Sequence, residues 1–282
     1  MLTLVPTPIG NISDISHRAL SVLGDAEILL CEDTRVTKKL LNLLKERYQL
    51  ETTIEKFISI HAHNEYHFIQ NIKEKEPDFF DKKVVYLSDA GMPGISDPGQ
   101  YLVQYCLANG IEYDVLPGAN AVLTAYVASG FTQTQMLFFG FLPHKGKERK
   151  EALLKALYNG FTTVLYEAPH RLLKTLDEID VEDSSRKVFA AKELTKKYQS
   201  YFVGTASELK EQLYEKFLKG NKGASIKGEW VLVVEAAQAR HSTIGEQDIL
   251  ALDLPKKAAA KLISKVTGEN TKACYERLMK TN

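Results

Sequence analysis

Cysteine is scarce: only Cys31, Cys106 and Cys274 occur, an odd number without metal-ligand spacing. That pattern argues against a disulfide framework and places the chain in the cytoplasm. Net charge is also missing, because Lys plus Arg and Asp plus Glu both total 36. There is no global positive field, so any nucleic-acid partner would have to be met by local basic charge. Long apolar runs are absent too. Stretches such as 84–87 and 231–234 are far shorter than the ~20 residues a bilayer requires, and Met1 leads into an apolar run without a basic preceding region. The expectation is neither a membrane nor a secreted protein. Neither GxGxxG nor GxxxxGK[ST] is found, which removes the usual fingerprints of dinucleotide binding and ATP hydrolysis.

The composition is that of an ordinary folded protein, with 44% hydrophobic and 26% charged residues over 282 positions. A single core stops growing efficiently near ~250 residues, so two domains are expected. Short apolar runs at 2–6, 26–31, 57–61, 84–87 and 111–116 alternate with polar or Gly-rich breaks and helical periodicity. Such alternation means parallel βα units. Further runs at 137–141, 162–166, 187–191, 201–204 and 229–235 suggest a second, mixed lobe. Residues 219–227, rich in Gly and Lys, read as a solvated loop. From residue 239 onward the pattern is helical, with two short helices at 256–265 and 271–280. The expected architecture is therefore α/β and two-lobed: an N-terminal parallel α/β lobe (1–129), a C-terminal mixed α/β lobe (130–238) and a helical tail (239–282).

Six features carry candidate chemistry. SDAGMPGISDPG (88–99) places three glycines and two prolines directly after an apolar strand, where an open α/β sheet has its ligand crevice. Glycine lets backbone approach a ligand, while proline stiffens the loop and removes donors, which suits a nucleoside better than a phosphate. VPTPIGN (5–11) could form a second wall of the same crevice. EDTR (32–35) ends another strand, either as substrate contacts or as a helix cap by Asp33 or Thr34. His61, His63 and His67 lack the fuller ligand set that zinc requires, so no metal is expected and a polar substrate-facing loop fits better. HKGKERK (144–150) and Lys192, Lys196 and Lys197 supply local basic charge. The nearby Phe138, Phe139, Phe141, Tyr198 and Tyr201 are candidates for base stacking, although alternating strand positions usually make such residues core. YEAPHR (166–171) has an unusual polar density for a mere connector.

Together VPTPIGN, CEDTR, SDAGMPGISDPG, LPGANA, FFGFLP, YEAPHR, AAKELTK and KGEWVLVVE, in this order and spacing, resemble the ribosomal RNA small-subunit methyltransferase I family of the tetrapyrrole-methylase superfamily. The resemblance covers residues 2–235, and the tail is similar to that family's helical extension. It implies the two-lobed class III methyltransferase fold, S-adenosyl-L-methionine as donor, 2′-O-methylation of a cytidine in the decoding region of 16S rRNA or the small subunit, and a homodimer. Carried over by position, the cofactor lies against Pro8, Ser88, Asp89, Ala90, Gly91, Pro93, Ile95, Ser96, Asn120, Ala121, Tyr166 and Leu194. Substrate contacts fall to Asn11, Asp33, Arg35, His63, Lys145, Arg149 and Arg171. Met92, Ala119 and Gln199 depart from the family's usual Thr, Pro and Glu. Met92 takes a small hydroxyl out of the loop, and Gln199 keeps an acceptor without the charge.

A ribose hydroxyl is a poor nucleophile, so transfer needs tight positioning and removal of a proton. Asp89, Glu167, Lys192 and Glu193 are the catalytic candidates, and no single base stands out. Two other readings share the pattern: a tetrapyrrole or small-molecule methyltransferase, and a non-catalytic ribosome-assembly protein that kept the fold.

Overall fold

The computed structural model describes residues 1–219, 225–237, 245–252 and 254–280. Part of the expected 219–227 loop and the start of the tail lie outside the described residues. Met1–Ala237 form one compact unit and Gln238–Asn282 a second.

In the first half of the larger unit the order is β1 (Leu2–Val5), α1 (His17–Gly24), β2 (Ile28–Cys31), α2 (Thr34–Tyr48), β3 (Lys56–Ser59), α3 (Glu65–Lys75), β4 (Val84–Leu87), α4 (Gln100–Asn109), β5 (Tyr113–Val115) and α5 (Ala121–Ser129). The strands form one sheet in the order β3-β2-β4-β1-β5, and all its pairings are parallel. β1, β2 and β4 are buried along their whole length, which is why they read as unbroken apolar runs. Leu2, Leu4, Leu30 and Tyr86 pack with residues of α3 and α4 on one face. Val5, Leu29, Cys31 and Leu87 pack with α1 and α2 on the other. Each fully buried leucine stabilises the fold by about 1.5–3 kcal/mol. Ser16 caps α1, accepting from the Ala19 N–H.

The topology fixes where a ligand can sit. From β1 the chain crosses β4 to reach β2, whereas from β4 it crosses β1 to reach β5. Adjacent strands whose connections leave in opposite directions open a crevice at their carboxyl ends. The loops that open there are 6–11 and 88–99.

The second half contains β6 (Met136–Phe141), α6 (Gly146–Leu157), β7 (Thr162–Glu167), α7 (Leu172–Glu182), β8 (Lys187–Lys192), β9 (Ser200–Thr205), α8 (Ala206–Leu213) and β10 (Trp230–Val234). Its sheet runs β6-β7-β10-β8-β9, with β6 parallel to β7 and the remaining pairs antiparallel. Leu165, Leu232 and Ala190 face a core with α6, α7 and α8. Val164, Val231, Val233 and Phe189 face the opposite way, against Val122 and Ala125 of α5. Helix α5 therefore covers the second sheet although it precedes residue 130, where the sequence pattern suggested a seam. Its apolar positions do not form a single stripe, so periodicity alone could not assign it to one side.

In the smaller unit α9 (Glu246–Leu250), α10 (Lys256–Thr267) and α11 (Thr271–Lys280) enclose Ile249, Ala260, Ile263, Cys274 and Leu278. Gly268 ends α10 in the left-handed region at φ 76°. α9, only five residues long, is too short to show periodicity and was not anticipated. Among the described residues no helix is long and apolar enough to cross a membrane.

Candidate active site

The two crevice loops are tied to each other by backbone. Thr7 and Gly91 exchange N–H···O=C bonds, both 3.0 Å, the Thr7 hydroxyl donates to the Ser88 carbonyl at 3.2 Å, and the Ser88 hydroxyl donates to the Gly91 carbonyl at 3.0 Å. Ser88 is thus buried and internal to the loop. Gly91 sits at φ +86°, where a Cβ would lie 3.2 Å from Ile9 Cγ2, so only glycine meets both the conformation and the approach. At the far end of the loop the Gly99 and Leu102 N–H groups both donate to Glu65 Oε1, at 3.0 and 3.1 Å. Glu65 is 3% exposed, and its carboxylate clamps the start of α4.

Above this floor lies a cleft of about 430 Å³, a size suited to a small ligand. Ala90, Gly91, Met92, Ile95, Ser96 and Asp97 line it from the loop, Asn120 and Ala121 from the start of α5, and Phe141, Tyr166, Glu229 and Trp230 from the second sheet. Asn120 caps α5 by accepting from the Leu123 N–H at 3.0 Å. The Tyr166 ring is held by Phe138 and Phe141, with centroids 5.1 and 5.4 Å away. Two residues three apart in a regular strand point to opposite faces. A register shift between Phe138 and Gly140 lets both flank Tyr166. Of the aromatics noted as stacking candidates, Phe139 packs into the core, whereas Phe141 is 54% exposed at the cleft and Tyr198 and Tyr201 are exposed away from it.

The anticipated cofactor residues divide accordingly. Ala90, Gly91, Ile95, Ser96, Asn120, Ala121 and Tyr166 line the cleft. Pro8, Ser88, Asp89, Pro93 and Leu194 are not among its lining; Leu194 packs with Ile9 in the core beside it. Asp97, Glu229 and Trp230 reach the cleft without having been singled out as ligand contacts. Asp97 had a visible signal, since Ser-Asp occurs twice in SDAGMPGISDPG; both residues of the first copy were expected at the cofactor but only Ser96 of the second.

Electrostatically the floor is acidic. Burial pushes the Asp97 carboxyl up to about 6, reinforced by Glu32 and Asp89. Burial raises Glu32 as well, with Asp89 adding to it, and it raises Asp89 against the opposing hydrogen bond from Asp33. That bond runs from the Asp33 N–H to Asp89 Oδ1, 3.1 Å. The Tyr166 hydroxyl is pushed up to about 12 by burial and by Asp97 and Glu229. Among the described residues no three His, Cys, Asp or Glu are grouped so as to hold a metal ion.

Several residues expected to act on substrate are engaged in the fold. Arg149 is 2% exposed. Its guanidinium donates to Glu178 at 2.8 Å, to the Pro143 carbonyl at 2.9 Å and to the Thr175 hydroxyl at 2.7 Å. It cannot hold a phosphate on a basic rim, because every face of the fork is used and buried. Arg171 donates to Glu167 Oε1 at 2.8 Å and to the Leu142 carbonyl at 3.0 Å, and it too is buried. Glu167 touches the cleft, yet its carboxylate also accepts from the Ala168 N–H and the Thr175 hydroxyl. A carboxylate so fully satisfied beside two arginines is a brace, not a proton acceptor. Lys192 holds its amino group 5.5 Å from the Phe217 ring centre and is not among the cleft's lining. Burial raises the Glu193 carboxyl, but the Glu229 N–H and Lys196 outweigh it and leave it below its ordinary value. Asn11 donates its N–H to Thr195 Oγ1 at 3.0 Å, and the Thr195 N–H donates to Gln199 Oε1 at 2.6 Å. Gln199 therefore uses its acceptor to hold a loop. Asp33 caps α2 and pairs with Arg35 at 2.6 Å, and that arginine pulls its carboxyl down to about 2. Arg35, His63 and Lys145 are exposed.

Residues 1–210 match the family model described as Tetrapyrrole (Corrin/Porphyrin) Methylases. Over 294 aligned residues the chain is 44% identical to the ribosomal RNA small subunit methyltransferase I of Helicobacter pylori strain ATCC 700392 / 26695, covering 99% of this chain and 98% of the relative. The identity is also 44% to the enzyme of that name from Campylobacter fetus subsp. fetus, over 99% of this chain and 100% of the relative. The chain belongs to the ribosomal RNA small subunit methyltransferase I family. Among solved structures it resembles diphthine synthase, with a TM-score of 0.56 at 13% identity over 83% of this chain and 89% of that one. A Thermus thermophilus uroporphyrin-III C-methyltransferase complexed with S-adenyl homocysteine gives a TM-score of 0.51 at 15% identity, covering 82% and 96%. These likenesses establish the fold of this methyltransferase I family member.

The family depends on S-adenosylmethionine, and the cleft fits that molecule. Ile95, Ala121 and Phe141 offer apolar surface for an adenine, Gly91 a close backbone approach, and Asp97 and Glu229 negative charge for a cationic donor. Met92 lines the same cleft, so its thioether side chain presents apolar surface where the family usually has a hydroxyl.

Proposed function

We propose that this methyltransferase modifies the 2′-hydroxyl of a cytidine in the decoding region of 16S rRNA, in the cytoplasm. The observation that carries the reading is the end-to-end 44% identity to relatives named for the small ribosomal subunit, joined to a cleft built on the 88–99 loop. Ala90, Gly91, Ile95, Ser96, Asn120, Ala121 and Tyr166 would hold S-adenosylmethionine, which supplies a methyl group activated on a sulfonium. Tyr166 and its flanking phenylalanines exclude water from one wall. Lys145 stands four residues beyond Phe141 at the start of α6 and is exposed, as are Arg35 and His63. Lys145 and Arg35 supply local positive charge for a phosphate backbone on a molecule with no net charge.

Two copies would act together. Leu123 and Val127, one helical turn apart on α5, are 53% and 77% exposed, and such apolar pairs favour a homodimer.

The test incubates the purified chain with labelled S-adenosylmethionine and, separately, small subunits, free 16S rRNA and a porphyrinogen. Expected is label in RNA, recovered after digestion as 2′-O-methylcytidine. Label in the porphyrinogen alone overturns the RNA reading, and label on a base or on another nucleoside overturns the cytidine 2′-O assignment.

A further inference from the structure

Most acidic and basic groups around the cleft are already engaged within the fold. Glu167 is bound by two arginines, a hydroxyl and an N–H, Glu193 by Lys196 and the Glu229 N–H, and Lys192, its amino group over the Phe217 ring, is not among the cleft's lining. Asp89 lies below the cleft and accepts from the Asp33 N–H. Glu229 reaches the cleft but pairs with Lys196 at 3.0 Å, and its side chain is 76% exposed. Asp97 differs from all of these. It lines the cleft, is half-buried, and among the described residues its carboxylate accepts no hydrogen bond and has no ion-pair partner. A carboxylate withdrawn from water with nothing to satisfy it is costly to keep and marks a group reserved for a ligand.

Its surroundings sharpen the point. Glu32 at the end of β2, Asp89 on the loop, Tyr86 of β4 and Tyr166 of β7 are the titratable groups that face it. None of them is a cation. The Tyr86 hydroxyl is the fully buried side-chain polar atom that lacks a partner among the described residues, so the polar groups under this part of the loop are left incomplete by the protein itself.

Resting on the RNA reading above, we infer that Asp97 is the catalytic base that accepts the proton of the ribose 2′-hydroxyl. The ribose oxygen forms a bond to the methyl carbon as the sulfur–methyl bond breaks. That bond's electron pair stays on sulfur, giving the neutral thioether product, and the hydroxyl proton passes to an Asp97 carboxylate oxygen and then to water. The base stands at about 6, so it is ionised at neutral pH yet basic enough to draw the proton as the bond forms. The other carboxylates of the floor, by keeping Asp97 from acidifying, act as positioning groups.

The experiment compares wild type with Asp97→Asn and Asp97→Glu on small subunits. A positioned base contributes about 100- to 10,000-fold, so Asp97→Asn is expected to lose at least about 100-fold in kcat and to lose the acid limb of its pH profile near 6. Asp97→Glu is expected to recover part of the rate. Two readouts do not depend on turnover. Calorimetry with S-adenosylhomocysteine should give affinities within about threefold for wild type and Asp97→Asn, and a carbon-13 carboxyl resonance titrating near pH 6 should vanish in the variant. Wild-type kcat in Asp97→Asn, or an unchanged acid limb, overturns the assignment of Asp97 alone. A wild-type chain that methylates no RNA overturns the RNA reading and the ribose step together.

Discussion

Two strand ends in this molecule carry dense polar sequence and do opposite things. After β4, the 88–99 loop leaves Asp97 unpaired at the wall of a cleft. After β7, Glu167 sits 3% exposed with Arg171, Arg149 and Thr175 saturating its oxygens. In the first region the acids repel each other and wait for a ligand; in the second each charge is answered within the fold. Polar density at a strand's carboxyl end thus says little about function until the pairing is known. An unpaired half-buried charge is expensive and needs a reason, whereas a paired one is a local brace whose removal exposes the other partner.

The comparison breaks most easily at Glu167. Glu167→Gln leaves Arg149 and Arg171 buried without their shared anion and should cost about 3–5 kcal/mol in urea denaturation; a loss below 1 kcal/mol would show that the network does not brace the fold. Next in size is Gly91→Val, which puts a branched side chain at φ +86° against Ile9. Its affinity for S-adenosylmethionine should fall at least about 100-fold by calorimetry, with a stability loss of about 1–2 kcal/mol from the strained backbone. Unchanged affinity would move the ligand away from this loop.

Asp97→Asn should act on stability in the opposite direction to Glu167→Gln. The folded-state carboxyl stands at about 6 against an ordinary 3.8, so the folded protein binds the proton more tightly than the unfolded chain. The penalty of ionising Asp97 is absent below 3.8, grows between the two values and is complete above 6. Relative to wild type the variant should therefore gain stability as pH rises, on the order of 1 kcal/mol after solvent screening, or about 2–4 °C in Tm. A variant that loses stability at pH 7.5 would place Asp97 with Glu167 as a brace. The smallest effect on the fold is expected at Arg35, whose side chain is 88% exposed. Arg35→Ala should change stability by less than about 0.5 kcal/mol while lowering the salt slope of RNA binding by about 1. An unaltered slope would remove Arg35 from the RNA-facing surface.

Much of the molecule was legible before any coordinates. All ten described strands overlap apolar runs bounded by Gly, Pro or polar breaks; in β1, β2 and β4 the run is unbroken, because a parallel sheet covered on both faces demands continuous apolar strands. The 88–99 loop was legible for a related reason: three glycines and two prolines are more than a connector needs. The family, and with it the donor, followed from motif order. Less visible were the short α9 and the side of α5 that meets the second sheet, since neither leaves a periodic stripe.

What the sequence by itself determined was the order of strands and loops, hence the fold and the loop that floors the cleft, because these depend on local patterning and backbone conformation. Only the tertiary structure decided which charges are free to act. Arg149 and Glu178 lie 29 residues apart yet meet at 2.8 Å, which turns an expected phosphate contact into a buried brace. Asp97 and Tyr166, on different sheets' loops and strands, meet across one cleft. Pairing is a property of distance in space, and a list of residue types does not contain it.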